Sequence, residues 1–321
     1  MKNKIFALML SFLFVFLSFP VNAFGYDYID VNNEPAFFVE FKDGEKPISG
    51  AKFEIFLVAE IDSYGNYHPL EEYASFNINE ASKSQQGWRE LAITLEGFVQ
   101  KEGIAPYLSG TTDKDGFLDF YEEEKPPKCG LYLLVGYPHA QEGFVYTAES
   151  TMVLLPSWNS EEKVWNYDVT VKPKYSVKPE TEEENYVTRK VLKIWNDKGF
   201  EEKRPKEITV YLLCDGKVYE SVTLNRKNNW RYAWENLDDD HRWTVTEKAV
   251  PGYAFSIKRE GITFVITNTY EETSPEPVVP QKPAEPQLPQ TGQLWWPVPA
   301  LAFGGILFIA LGMILKRRSQ K

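Results

Sequence analysis

Three side chains in the second half of the chain, Lys193, Glu247 and Asn268, are placed where chemistry between them is possible. In an extended strand, successive side chains point to opposite faces. That alternation groups Lys193 with Val191 and Trp195, Glu247 with Val245, and Asn268 with Phe264 and Ile266. Each polar group therefore belongs to a face expected to turn toward a core. An ammonium or carboxylate buried alone is costly, so such groups need each other. Burial lowers the pKa of an amine and raises that of a carboxyl. A neutral Lys193 amine can then attack the Asn268 carboxamide. A protonated Glu247 polarises the carbonyl and carries the proton, and ammonia leaves. The product is an amide between the first and last strands of this region. The plainer alternative is a buried ion pair beside an ordinary core asparagine. Lys190 has the opposite alternation and is the poorer nucleophile.

No other group of residues suggests catalysis on an external substrate, so the chain is not expected to be an enzyme. His68, His139 and His241 are scattered, with no metal-ligand spacing and no nucleophile signature beside them. No cofactor and no metal are expected. Thr112-Asp-Lys-Asp-Gly116 opens like a calcium loop but lacks the third oxygen ligand and the closing glutamate, and an Asp-Gly hairpin turn is expected there. Cys129 and Cys214 are the only cysteines, which makes no disulfide framework. They are expected in different domains as small core residues.

The elements that must position these groups are mainly strands. Residues 24–176 form a first domain, with strands at Ala36–Phe41, Ala51–Val58, Gly130–Gly136 and Trp165–Val171. Its one clear helix carries Trp88, Leu91, Ala92, Leu95, Phe98 and Val99 on a single face, and is expected on the edge of the sheet. The polar run 177–186 reads as a linker. Residues 187–271 are short strands broken at Asn196–Gly199, Asp215-Gly216, Asn228-Asn229 and Pro251-Gly252, which suggests a β-sandwich. Residues 272–287 hold five prolines and read as an extended, semi-rigid spacer.

Both ends are apolar and basic. Residues 1–23 look like a cleaved secretory signal: Lys2 and Lys4, an apolar stretch, then Val21-Asn22-Ala23. Residues 294–315 are 22 residues without a charge, enough for a transmembrane helix, and the tail 316–321 supplies the basic cytoplasmic side. Removing residues 1–23 and 292–321 leaves 29 basic against 46 acidic residues, a net charge of −17. That argues against nucleic acid or an anionic membrane surface as partner. The membrane is expected to matter only before the tail is cut away.

Three resemblances sharpen this reading. Lys193-Ile-Trp-Asn-Asp197, Arg204-Pro205, Val210-Tyr-Leu-Leu213, Asn229-Trp230, Trp243-Thr-Val-Thr-Glu247, Pro251-Gly-Tyr253 and Ile266-Thr-Asn268 fall in the order seen in Cna B-type domains. The resemblance implies an immunoglobulin-like β-sandwich, often closed by a Lys–Asn isopeptide bond. Leu288-Pro289-Gln290-Thr291-Gly292, followed at once by an apolar span and a basic tail, resembles a Gram-positive sorting signal. That resemblance implies that a sortase attacks the Thr291 carbonyl, releases Gly292 onward, and joins the chain to peptidoglycan. The product is a secreted, cell-wall-anchored protein.

The first domain is similar to the N-terminal domain of sortase-assembled pilins. The similarity rests on Pro47-Ile-Ser-Gly-Ala-Lys-Phe53, the Trp88-to-Val99 helix, Thr112-Asp-Lys-Asp-Gly116, Gly130-Leu-Tyr-Leu133 and Trp165-Asn-Tyr-Asp-Val-Thr-Val-Lys-Pro-Lys174. It implies a second immunoglobulin-like sandwich in tandem, with an inserted helix. It also implies that Lys174 is the amine joined to the C-terminal threonine of another pilin subunit, with Lys172 as an alternative. The pilin motif usually has Tyr before the proline and Asn after the lysine; here these are Lys172 and Tyr175. An internal bond of the first domain is therefore not expected, although Lys42 and Glu149 could be its partners. The reading that follows is a minor or basal pilin, with a shaft pilin or a monomeric adhesin binding a host glycoprotein as alternatives, and host extracellular matrix among the partners considered.

Overall fold

In the first half of the chain, two apolar runs bury both faces of one sheet. The computed structural model describes residues 28–122, 124–180 and 185–270. The expected signal at 1–23, spacer at 272–287, sorting pentapeptide at 288–292, apolar span at 294–315 and basic tail at 316–321 lie outside the described residues.

The N-terminal lobe opens with β1 (Ala36–Glu40) and the two-residue ribbon β2 (Lys42–Asp43) and β3 (Lys46–Pro47). Its central sheet contains β4 (Lys52–Ile61), β5 (Tyr67–Pro69), β6 (Leu108–Thr111), β8 (Gly130–Gly136) and β11 (Thr151–Leu155). All of β8 is buried. Alternate residues of β4 and β8 explain why. Phe53, Ile55, Tyr132 and Leu134 enter a core shared with Phe37 and Val39 of β1. Phe56, Val58, Leu131, Leu133 and Val135 enter a second core under the helices. A strand buried on both faces reads as a continuous apolar run.

On the β1 side, a sheet of order β14–β1–β7 covers the first core, with β7 at Phe117–Asp119 and β14 at Asp168–Val171. The pairs β9 (His139–Gln141) with β10 (Phe144–Ala148) and β12 (Ser157–Asn159) with β13 (Val164–Asn166) are ribbons at the margin.

Helix α1 (Ile78–Ala81) leads into α2 (Gln85–Glu102). Ser84 caps α2, its side chain accepting from the Gly87 N–H at 2.9 Å, and Gly103 ends it at φ 67°, in the left-handed region. Leu91, Ala92, Leu95 and Val99 pack over β8 and the edge strand β11, at the margin of the sheet as expected. The odd-numbered residues of β8 supply an apolar face wide enough to hold the helix. The expected linker begins inside an element. β15 (Tyr175–Pro179) pairs antiparallel with β10, and Lys178 forms a 2.5 Å ion pair with Asp239.

The C-terminal lobe has two facing sheets. One runs β19 (Arg231–Asp238), β16 (Tyr186–Asn196), β22 (Thr263–Tyr270), β21 (Tyr253–Glu260). The other runs β18 (Lys217–Asn225), β17 (Glu207–Cys214), β20 (Trp243–Glu247). The Asp215-Gly216 turn between β17 and β18 has positive φ at both residues (47° and 82°), as a tight hairpin requires. β16 and β22, first and last in the lobe, are parallel neighbours. Val191, Val210, Leu212, Trp234, Val245, Ile257, Phe264 and Ile266 fill the space between the sheets.

Candidate functional site

The alternation anticipated for Lys193, Glu247 and Asn268 holds in the folded chain. Lys193 stands on β16 opposite Ile266 of β22, and Asn268 lies two residues further along β22, opposite Trp195. The two side chains share the inner face of one sheet. Glu247 reaches them from the other sheet, at the end of β20. Lys193 Nζ lies 3.0 Å from Glu247 Oε2, and neither side chain has any exposed surface. Asn268 is fully buried. Lys190, on the opposite face, is exposed.

These groups are close but unsatisfied. Lys193 Nζ, both oxygens of Glu247, and both Oδ1 and Nδ2 of Asn268 are buried without a hydrogen-bond partner of acceptable geometry. The 3.0 Å contact is thus an ion-pair distance without hydrogen-bond alignment. Orphaned buried polar atoms are rare and costly in native interiors. Burial drives Lys193 down from 10.5 to about 8, against the pull of Glu247. Burial also pushes the Glu247 carboxyl up, against Lys193 and the Asn268 amide. Both shifts favour the uncharged forms, a free amine beside a carboxylic acid and a carboxamide. That is the set of protonation states that amide exchange needs.

An aromatic wall shields the amine. Lys193 Nζ is 4.7 Å from the Trp195 ring centroid. Trp195 meets Trp230 at 5.3 Å and Tyr253 at 5.1 Å, both edge to face. The Tyr253 hydroxyl donates to Asp197 Oδ2 at 2.9 Å, and Arg204 grips both oxygens of the same carboxylate. The Arg204 guanidinium holds the Asp197 carboxyl below its usual range. Residues quoted above for their order in the sequence, from Trp195 to Tyr253, thus converge in space. Sequence reasoning used them only as signposts; their spacing gives no sign that they form one wall.

Lys174 lies elsewhere. It is exposed just after Pro173, its carbonyl accepts from the Glu149 N–H at 2.7 Å, and its side chain borders a crevice between α2 and β11 lined by Trp88, Arg89 and Met152. Lys172 pairs with Glu40 at 2.7 Å, and Lys42 pairs with the same carboxylate at 3.1 Å. Glu149 is exposed, so Lys42 and Glu149 do not share a buried site.

Thr112–Gly116 is a turn in which Asp113 Oδ1 accepts from the N–H groups of Asp115 and Phe117, both at 2.9 Å. Cys129 and Cys214 are free thiols, one in each lobe, and burial raises Cys129 to about 11. Cys214, Asp215 and His241 come together, which nothing in the sequence signals. Both Asp215 oxygens are already engaged, by the Arg242 N–H at 2.8 Å and by His241 Nδ1 at 2.6 Å.

The collagen adhesin of Staphylococcus aureus is 34% identical over 105 residues, which is 30% of this chain and 9% of that protein. The chain therefore spans less than a tenth of the length of that relative. Among solved structures, the single B repeat unit (B1) of the collagen binding surface protein of Staphylococcus aureus is similar at 16% identity and a TM-score of 0.26, over 74% of this chain and 98% of that one. The full-length major pilin SpaD from Corynebacterium diphtheriae is similar at 14% identity and a TM-score of 0.31, over 75% of this chain and 65% of that one. Residues 189–269 match the family described as Cna protein B-type domain, and β16–β22 carry the sandwich of such a domain.

Proposed function

We propose that this chain is a structural protein of a Gram-positive cell surface, stapled by a Lys193–Asn268 amide and anchored to peptidoglycan by a sortase. The observation that carries the staple is the buried, unsatisfied cluster of Lys193, Glu247 and Asn268. Lys193 Nζ attacks the Asn268 side-chain carbonyl carbon, and the bond from that carbon to Nδ2 breaks. Glu247 lends its proton to the carbonyl oxygen, takes one from the attacking nitrogen and delivers it to Nδ2, which departs as ammonia; the oxygen then returns the lent proton to Glu247 as the carbonyl re-forms. The new amide leaves no charge on either former partner, and Glu247 stays behind as a neutral acid.

The anchor is the Leu288–Gly292 pentapeptide, cut after Thr291. Lys174 is the amine through which another pilin subunit joins, and the small size, two lobes and proline-rich stretch before the sorting pentapeptide favour a minor or basal pilin. The exposure of Lys174, against the ion pair that engages Lys172, favours it as the acceptor. A shaft pilin would use the same residues. The similarity to a collagen adhesin favours a second reading, a monomeric wall-anchored adhesin with a ligand in the host matrix. Neither reading makes the chain an enzyme, because the amide chemistry happens once and within one molecule.

The mass of the purified protein tests the staple. Residues 24–291, produced without the signal and the sorting tail, should fall about 17 Da below the mass calculated for that stretch, the ammonia lost in forming one amide. Glu247→Ala should restore the full mass. A full mass in the native protein removes the staple; an undiminished deficit in Glu247→Ala removes Glu247 from the mechanism.

A further inference from the structure

Each sheet of the C-terminal sandwich has an open edge on the same side, β20 in one and β21 in the other. In a lobe standing alone, water would reach the core between those edges. Here α2 of the N-terminal lobe lies over both.

Ile93 packs into the C-terminal core. Thr94, almost fully buried, accepts a hydrogen bond from the Ile257 N–H of β21 at 2.8 Å, while its hydroxyl donates to the Glu90 carbonyl at 2.6 Å. Gly97 lies against β20: a Cβ there would be 2.6 Å from the Val245 carbonyl oxygen and 3.2 Å from Thr246 Cβ. Glu96, also buried, is gripped by Arg242, with Nε 2.7 Å from Oε1 and Nη2 2.7 Å from Oε2. Arg242 directly precedes β20, and its Nη1 also donates to the carbonyls of Gly136 and Ala148 in the N-terminal lobe. All five residues of β20 are buried. Val245 and Glu247 face inward, and Thr244 and Thr246 face the helix.

We propose that α2 is a wall of the C-terminal sandwich, and that Gly97 and Thr94 are positioning residues for the Lys193–Asn268 condensation, which proceeds only after the two lobes have docked. The inference rests on the proposed amide. Without the helix, the seam beside β20 is open to solvent and Glu247 loses both its placement and its dry surroundings. Any side chain at position 97 pushes α2 away from the strand that carries Glu247. Loss of the Thr94 hydroxyl leaves the Ile257 N–H without its acceptor.

Folding of the whole chain from an unbonded start tests this, using chain collected in denaturant as it is made, from inclusion bodies, before the amide has closed. Samples taken over time, across about pH 6 to 10, are digested and the Lys193–Asn268 cross-linked peptide is measured by mass spectrometry. Hydrogen exchange at the Ile257 amide reports whether α2 is seated. In the native sequence the rate should rise with a midpoint near the Lys193 pKa of about 8, and fall again once Glu247 loses the proton it must lend. Gly97→Leu should expose the Ile257 amide and move that midpoint upward. Below the midpoint it should slow the bond about tenfold for each unit that the amine rises. Thr94→Val, nearly isosteric, should shift both readouts in the same direction if Gly97→Leu does not fold; Thr94→Ser, which keeps the hydroxyl, should behave like the native chain. An exposed Ile257 amide with an unchanged rate and midpoint would overturn the role of the helix and leave the amide standing. Absence of the cross-linked peptide from the native chain would overturn the amide itself.

Discussion

Asn268→Ala separates the bond from the residues around it. This variant keeps Lys193 facing Glu247 but cannot close the amide. By the loop-closure arithmetic used for disulfides, it should lose about 4–5 kcal/mol of stability, read from denaturant unfolding. It should also gain a pH dependence that the bonded protein lacks. Lys193 holds its proton less tightly when folded, at about 8, than in the unfolded chain at 10.5. Between those values the unfolded state carries more protons, so the stability of Asn268→Ala should rise with pH from about 8 to 10.5. A flat profile there would mean that Lys193 is not desolvated. Strand alternation put the three residues on inward faces, because burial follows from which face a side chain takes, and the resemblance to Cna B-type domains singled them out. It could not show that Glu247 would come from the opposite sheet, nor that Asp197 and Arg204 would brace the aromatic wall.

At the level of elements, α2 was half legible. Trp88, Leu91, Ala92, Leu95, Phe98 and Val99 repeat with helical spacing and mark the face that meets the central sheet. The other working face, Ile93, Thr94, Glu96, Gly97 and Gln100, looks like an ordinary solvent side. Its partners lie about 150 residues further on, beyond any local pattern, and a glutamate in a helix gives no sign of being buried. The Glu96–Arg242 pair makes this measurable. Arg242→Met should cost about 3–5 kcal/mol, because it leaves a buried carboxylate unpaired. The double variant Glu96→Leu/Arg242→Met should recover much of that loss in a double-mutant cycle. Strict additivity of the two single changes would mean that the pair does not hold the lobes together. β15 was misread for a related reason. Its polar residues resemble a linker, yet a marginal strand needs only backbone partners, and β10 supplies them.

For the whole molecule, the two proposed covalent links to other molecules are at Lys174 and at Thr291, so replacing either residue should have different effects on cells. If the native chain forms high-mass ladders in wall extracts, Lys174→Ala should remove this chain from them while leaving it on the surface; unchanged ladders would exclude Lys174 as the acceptor. Thr291→Ala should release the protein or hold it in the membrane, as followed by fractionation. The way Arg242 is held has a bearing on ancestry as well. Its guanidinium is clasped by carbonyls and a carboxylate from the other lobe. A domain secured like this cannot be swapped as a free-standing cassette. Recombination that brought in a foreign sandwich would leave Glu96 and the grooved flank of α2 with nothing to fit. The two halves are therefore expected to be inherited as a pair, each drifting only as far as the other can follow.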